Sequence, residues 1–143
     1  MKINKKASAI WSGGLKDGKG TISTESGALK DHPYGFNTRF EGVKGTNPEE
    51  LIGAAHAGCF TMALSMILGE AKLTAERMET SAQVTLEKKD EGFEITAIHL
   101  NLKAKVPGTT QAQFQELANK AKLNCPVSKL LKANITLEAM LEN

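Results

Sequence analysis

The sequence predicts an α+β domain, and three observations predict it. An uncharged, apolar stretch runs from Leu51 to Leu68 behind a strong helix-start signal. Runs of alternating apolar and polar residues lie on both sides of it. A second amphipathic stretch begins at Thr110 and is followed by a last alternating run, Ile135, Leu137, Ala139 and Leu141. Strands, a core helix, strands, a helix and a strand make an α+β order, and residues 1–143 suit a single domain.

The first forty residues read as strands and turns. Asp17-Gly18-Lys19-Gly20 is a hairpin signal between Ile10-Trp11 and Thr21-Ile22-Ser23-Thr24. Gly27, Pro33 and Gly35 break the pattern, so residues 26–37 are expected to form a surface loop. Thr38-Arg39-Phe40 is expected to be a short strand, with Arg39 on the face opposite its two neighbours.

The long helix opens with Asn47 as N-cap, Pro48 at the first helical position and Glu50 at the third, a capping-box arrangement. Glu49 and Glu50 stand where the helix dipole favours negative charge. The end is expected near Gly69. As a helix, Leu51 to Leu68 would span roughly 27 Å, enough to raise the question of a membrane. Glycine, histidine, threonine and serine dilute it, and its flanks carry no basic bias. A helix apolar all round must instead be covered on all sides, which points to a central core helix, one that a second subunit could share.

After it, Ala82, Val84 and Leu86 alternate, Asp90-Glu91-Gly92 turns the chain, and Phe93 and Ile95 resume the pattern. The apolar phase slips at Ala97-Ile98, then continues through Leu100, Leu102, Ala104 and Val106. A one-residue slip flips every side chain unless a bulge absorbs it, so a bulge is expected near residue 97. Thr110 with Gln113 can cap the next helix, with Phe114, Leu117, Ala118 and Ala121 inward, and Pro126 kinks or restarts it.

Composition excludes several function classes. Eighteen Lys plus Arg against sixteen Asp plus Glu leave a net charge of +2, too little for an electrostatic grip on nucleic acid or anionic lipid. Aromatics at 5% do not make a stacking platform for single strands. Two cysteines cannot form a multi-bridge secreted framework. Lys2, Lys5 and Lys6 are followed by only a short apolar segment, not an export core. A cytosolic setting with reduced thiols is expected.

The residues able to carry chemistry are few. Cys59 lies mid-helix and Cys125 directly precedes Pro126. Each can be an inert, buried small hydrophobe. Alternatively the second helix folds back onto the first and the two form a redox pair. A peroxidase thiol has an electrostatic requirement. A free thiol is only a few per cent thiolate at neutral pH, and apolar burial disfavours the anion further, so a cation is needed. Arg39 is the candidate, because arginine keeps its charge when desolvated. Its plainer reading is a solvated strand residue. A buried arginine needs an anchoring anion, and Glu49 is the candidate. Its plainer reading is a favourable charge at a helix N-terminus. Glu49 precedes Cys59 by roughly 15 Å of helix. Either Arg39 bridges that gap, or Glu49 serves the thiol of an antiparallel partner helix. Gly53, Ala54, Ala57 and Gly58 are small enough for two such helices to pack closely. His56 shares a helix face with Cys59. With Cys125 and His32 or His99 it could bind zinc, but no close Cys or His pair supports a metal. His56 is otherwise expected at the rim of the core.

Three segments carry a recognisable pattern: PYGFNTRFEG at 33–42, TNPEELIGAAHAGCF at 46–60 and NCPVSKLLKANITLE at 124–138. Over essentially the whole chain the sequence resembles the OsmC/Ohr family, in its OsmC branch. The resemblance implies an OsmC-like fold, antiparallel strands wrapping a long central helix in an intertwined homodimer with sites at the subunit interface. It implies a thiol-dependent peroxidase that acts on organic hydroperoxides, and less well on hydrogen peroxide, in stress defence. By motif position, Cys59 would be the peroxidatic thiol, Cys125 the resolving thiol, and Arg39 and Glu49 the activating pair. No metal or flavin is implied, only an external dithiol reductant, and neither nucleic acid nor membrane is an expected partner. Phe36, Phe40, Met62 and Met66 could line a pocket for an alkyl or aryl tail. The rival reading is a non-catalytic, stress-related binding or structural dimer with inert thiols.

Overall fold

A computed structural model describes residues 1–143. The chain divides into two compact units, Met1–Leu51 and Ile52–Asn143.

In the first unit, β1 (Ala7–Ser12), β2 (Lys19–Thr24) and β3 (His32–Tyr34) form an antiparallel sheet in that order. The β1–β2 hairpin forms where Asp17-Gly18 predicts it. Gly13 turns the chain at φ +95°, a left-handed conformation that suits glycine. Gly20 pairs with Trp11 on one side and Tyr34 on the other. A Cβ there would meet ring carbons of both at 2.5 Å, so only glycine lets the two rings approach to 5.6 Å.

Two expectations for this unit are corrected. The loop expected over 26–37 contains β3. Its Pro33 is tolerated because β3 is an edge strand, where a missing N–H costs no ladder bond. Thr38-Arg39-Phe40 is not a strand but part of a short helix, α1 (Phe36–Phe40). Local polar bonds start it: the Gly35 N–H donates to Thr38 Oγ1 at 2.9 Å, and that hydroxyl donates to the Gly35 carbonyl at 3.0 Å. One helical turn also brings Phe36 over Phe40, ring centroids 5.0 Å apart, which alternation along a strand would not allow.

Helix α2 (Pro48–Glu70) begins as expected. Asn47 Oδ1 accepts from the Glu50 N–H at 2.8 Å, and Asn47 Nδ2 donates to Glu50 Oε2 at 3.1 Å. The side chains of cap and third residue thus hold each other, and such a cap is worth about 1 kcal/mol.

In the second unit, β4 (Arg77–Lys89), β5 (Gly92–Lys105) and β6 (Asn134–Leu141) form a sheet with β5 central. The β4–β5 pair is antiparallel and carries the expected bulge: Thr85 pairs with Ala97 but Leu86 with Ile95, leaving Thr96 as the extra residue. The all-antiparallel expectation is corrected at the other edge, where β6 runs parallel to β5. A parallel return needs a long crossover, which α3 (Gln111–Asn124) and α4 (Pro126–Leu130) provide. Thr110 caps α3, accepting from the Gln113 N–H at 3.1 Å. The core joins Phe60, Leu64, Ile67 and Leu68 of α2 to Ile98, Leu100 and Leu102 of β5 and to Phe114, Ala118 and Ala121 of α3. Each large side chain buried here contributes about 1.5–3 kcal/mol. Asn143 clasps the end of β5, accepting from the Val106 N–H at 2.8 Å and donating to the Val106 carbonyl.

Helix α2 is long and apolar enough to cross a membrane. Here its Phe60-Leu64-Leu68 face is packed into this core. Its other face is open: Met62 and Met66 are 76% and 62% exposed, and nothing lies within 4 Å of a Cβ on Gly58. Gly53 is a further correction. It does not await a partner helix, because a Cβ on it would meet Val84 of β4 at 3.2 Å, so its smallness serves packing within the chain.

Candidate functional site

The structure brings the four expected site residues together as two pairs, one in each unit. The first pair is Arg39 with Glu49. Arg39 stands in the last turn of α1, and Glu49 in the first turn of α2. Glu49 Oε1 accepts from Arg39 Nε at 2.8 Å and lies 2.6 Å from Nη2. The Nε–H bond, with Nη2 close to the same oxygen, holds the guanidinium against the carboxylate. The pair is unequally buried, 37% exposed for Arg39 against 11% for Glu49, so the carboxylate is the anchor and the cation keeps an open side. The guanidinium also lies over Phe40, 5.2 Å from the ring centroid. Trp11, Leu15, Tyr34, Phe36, Arg39 and Phe40 line a cavity of about 160 Å³. It has one cation on otherwise largely apolar walls.

The second pair is Cys59 with Cys125. Cys59 is half-buried in α2, and Cys125 is fully buried. Cys125 caps two helices at once, closing α3 and opening α4, with Pro126 at the first position of α4. Its N–H donates to the Ala121 carbonyl at 2.9 Å, and its carbonyl accepts from the Lys129 N–H at 3.1 Å. Both thiols are free, and Cys125 lies near enough to Cys59 to act on its ionisation. Burial pushes the Cys59 thiol above its ordinary value. The Val127 backbone N–H donates to the sulfur and opposes that push, while the hydrogen bond and charge of Cys125 add to it. The net direction is upward.

His56 lies one turn before Cys59. It is completely buried, not at the rim as expected. The reason is a partner that spacing along α2 could not show: Nε2 lies 2.8 Å from Ser128 Oγ, and the two positions are 72 residues apart. Burial lowers the pKa of His56, which favours the neutral ring. No three of the His, Cys, Asp and Glu side chains converge as metal ligands. His99 lies on the sheet, 2.6 Å from Thr136 Oγ1 through Nδ1. Phe36 and Phe40 line the cavity beside Arg39 as expected, whereas Met62 and Met66 are exposed on α2.

Residues 41–140 match the family described as OsmC-like protein. The chain belongs to the OsmC-like family. It is 58% identical over 143 residues to peroxiredoxin OsmC of Escherichia coli, covering all of both chains. It is 33% identical over 125 residues to the organic hydroperoxide resistance protein OhrB of Bacillus subtilis, covering 86% of this chain and 89% of that one. The crystal structure of Bacillus subtilis OhrB superposes with a TM-score of 0.67 at 31% identity, covering 96% of this chain and 98% of that one. An OsmC-like protein from Mycoplasma pneumoniae reaches a TM-score of 0.77 at 14% identity over the full length of both, a likeness of fold.

The OsmC-like match includes Glu49, Cys59 and Cys125, and Arg39 lies just before its start. The sequence reading missed Ser128, the Val127 N–H, and the Trp11, Leu15 and Tyr34 walls. For the first two a signal existed. Pro126 at a helix start, next to a cysteine, marks a tight turn whose next backbone N–H groups are free to find a partner. For the walls there was none, because they come from three separate strands and turns.

Proposed function

We propose that this OsmC-like chain is a thiol peroxidase that reduces organic hydroperoxides to alcohols, with residues 1–143 acting as one functional domain in a homodimer. The observation that carries the reading is the reduced pair Cys59 and Cys125, two free thiols near enough to influence each other's ionisation. Full-length identity of 58% to a peroxiredoxin supports it.

The upward push on Cys59 sets what the rest of the site must do. A cation about 4 Å from the sulfur, at an effective dielectric near 20, is worth about 4 kcal/mol, nearly three pKa units. Arg39 supplies that cation and Glu49 orients it. Glu49 also offsets part of the field, so its contribution is geometric. The cavity beside Arg39 takes the alkyl or aryl tail, which hydrogen peroxide lacks. The open face of α2, with Ala54, Gly58, Met62 and Met66 exposed, supports a second copy as its cover.

The Cys59 thiolate attacks one oxygen of the hydroperoxide. The O–O bond breaks, an S–O bond forms, and the alkoxide leaves and takes a proton as the alcohol. Cys59 is now a sulfenic acid. Cys125 attacks that sulfur, an S–S bond forms, and hydroxide leaves with the Cys125 proton as water. An external dithiol returns the pair to two thiols and is itself oxidised to a disulfide.

Peroxide consumption by single variants tests the roles. Cys59→Ser is expected to consume no cumene hydroperoxide. Cys125→Ser is expected to complete one turnover and accumulate sulfenic acid. Normal turnover by both variants would show that the assigned chemistry is wrong.

A further inference from the structure

We infer that His56 is a positioning residue for disulfide closure: through Ser128 it holds the Cys125–Leu130 turn against α2 and keeps Cys125 beside Cys59. The inference rests on the proposed roles of the two thiols and extends them to a residue pair those roles do not include.

Beside the packing of Val127 and Leu131 against the core, three polar interactions link α2 to this turn. The Val127 N–H and the Cys125 thiol both act on the ionisation of the Cys59 sulfur. His56 Nε2 lies 2.8 Å from Ser128 Oγ. The first two involve Cys59 itself, so both change when its sulfur becomes a sulfenic acid. The His56–Ser128 bond is the one that chemistry at Cys59 leaves intact.

The turn needs such a hold. Pro126 has no N–H, so nothing ties that residue back to α3. The junction keeps the Cys125 N–H bond to Ala121 and the Lys129 N–H bond to Cys125. Beyond it, α4 has no buried residue, and Leu130 is 77% exposed. Val127 and Leu131 pack against the core only partly buried, so the turn is held less firmly than Cys125 at its start, which is fully buried.

The imidazole is also an expensive choice for this place. It is completely buried, and its Nδ1 has no hydrogen-bond partner. Leaving a buried polar atom unpaired costs free energy that an aliphatic side chain of similar size would avoid. What the ring gains over such a side chain is its one polar contact, the bond to Ser128. That contact acts on the turn carrying Cys125, and closure depends steeply on how the attacking sulfur is held.

The test separates the two chemical steps in single turnovers with cumene hydroperoxide, trapping sulfenic acid with dimedone and following disulfide by mass. In Ser128→Ala and His56→Leu, closure is expected to slow by about tenfold or more. Sulfenic acid formation should stay within about twofold of the unaltered protein, because the Val127 N–H and the local apolar burial remain. The double variant should be no slower than the slower single one, the signature of one shared interaction. His56→Gln can still bond Ser128 and should recover most of the closure rate, which a role in packing alone would not produce. Ser128→Ala leaves the core intact and carries the test should His56→Leu fold poorly. Closure at the unaltered rate in Ser128→Ala, or His56→Gln as slow as His56→Leu, would overturn the role of His56. Failure of the unaltered protein to form any Cys59–Cys125 disulfide would instead overturn the thiol assignment, and this inference with it.

Discussion

The buried thiol of Cys125, between α3 and α4, lies near enough to Cys59 of α2 to raise its pKa, with no disulfide between them. Two sulfurs distant in sequence are thus held in reach of one another in the reduced state. The same closeness opposes ionisation of Cys59, so the pair that is well placed for closure is poorly placed to start the reaction alone. Arg39 is the group proposed to resolve that conflict.

Removing the cation is the first expected outcome to check. Arg39→Ala should move the thiolate absorbance of Cys59 to higher pH and slow its oxidation by about 100-fold or more, given an electrostatic contribution near three pKa units. Arg39→Lys should recover only part, because an ammonium cannot reproduce the planar fork that sets both Nε and Nη2 against Glu49 Oε1. Glu49→Gln should slow oxidation less than Arg39→Ala. A thiolate titration unchanged in Arg39→Ala would remove Arg39 from the mechanism.

Gly20 is where the cavity wall can be altered without touching a charged group. Gly20→Ala places a methyl group where the Trp11 and Tyr34 rings already lie, and overpacking of this kind costs about 1–3 kcal/mol. Urea unfolding should show that loss. The KM for cumene hydroperoxide should rise while that for hydrogen peroxide, which has no tail to seat, stays nearly constant. Equal shifts for both substrates would show that the cavity does not hold the tail.

Much of the fold was legible because local signals and global packing agree. Asn47-Pro48-Glu49-Glu50 announces α2, and the slip at Ala97 announces the bulge, since each is a matter of neighbours in sequence. The errors have a common origin in competition. Thr38-Arg39-Phe40 reads as a strand until the Thr38 hydroxyl bonds back to Gly35 and Phe36 meets Phe40. Gly53 reads as a contact for a partner helix until Val84 from β4 arrives against it. His56 reads as a rim residue because Ser128, its partner, is 72 positions away. Pairing across such distances leaves no local periodicity, so the thiol pair came from family resemblance and not from spacing.

His56 gives the fold a pH dependence with a definite sign. Burial lowers its pKa in the folded chain below the ordinary 6.5. As pH falls past 6.5, the unfolded chain binds this proton first and is stabilised by it. Stability from the neutral, buried ring is therefore complete above 6.5 and declines below it, by at most about 1.4 kcal/mol per pH unit from this one group. Thermal unfolding between pH 7 and pH 5, at roughly constant ionic strength, should show a steeper decline in the unaltered protein than in His56→Gln. Parallel curves would mean that His56 is not held neutral by burial.

The open face of α2 gives the assembly its own test. Gly58 has nothing within 4 Å of its Cβ position, so a larger side chain is free to stand there in a single chain. In a homodimer closed over this face it would collide with the partner helix. Gly58→Leu and Met62→Glu should each weaken association by about 100-fold, close to 2.7 kcal/mol, in sedimentation velocity. Association unaffected by both changes would place the second copy elsewhere.

The most direct measurement is a thiol count and peptide map before and after one equivalent of cumene hydroperoxide is added to the reduced chain. Both free thiols should disappear together, and one linked peptide pair should appear that contains Cys59 and Cys125. Two thiols still titratable in every chain, with the hydroperoxide unspent, would contradict the peroxidase reading at its root.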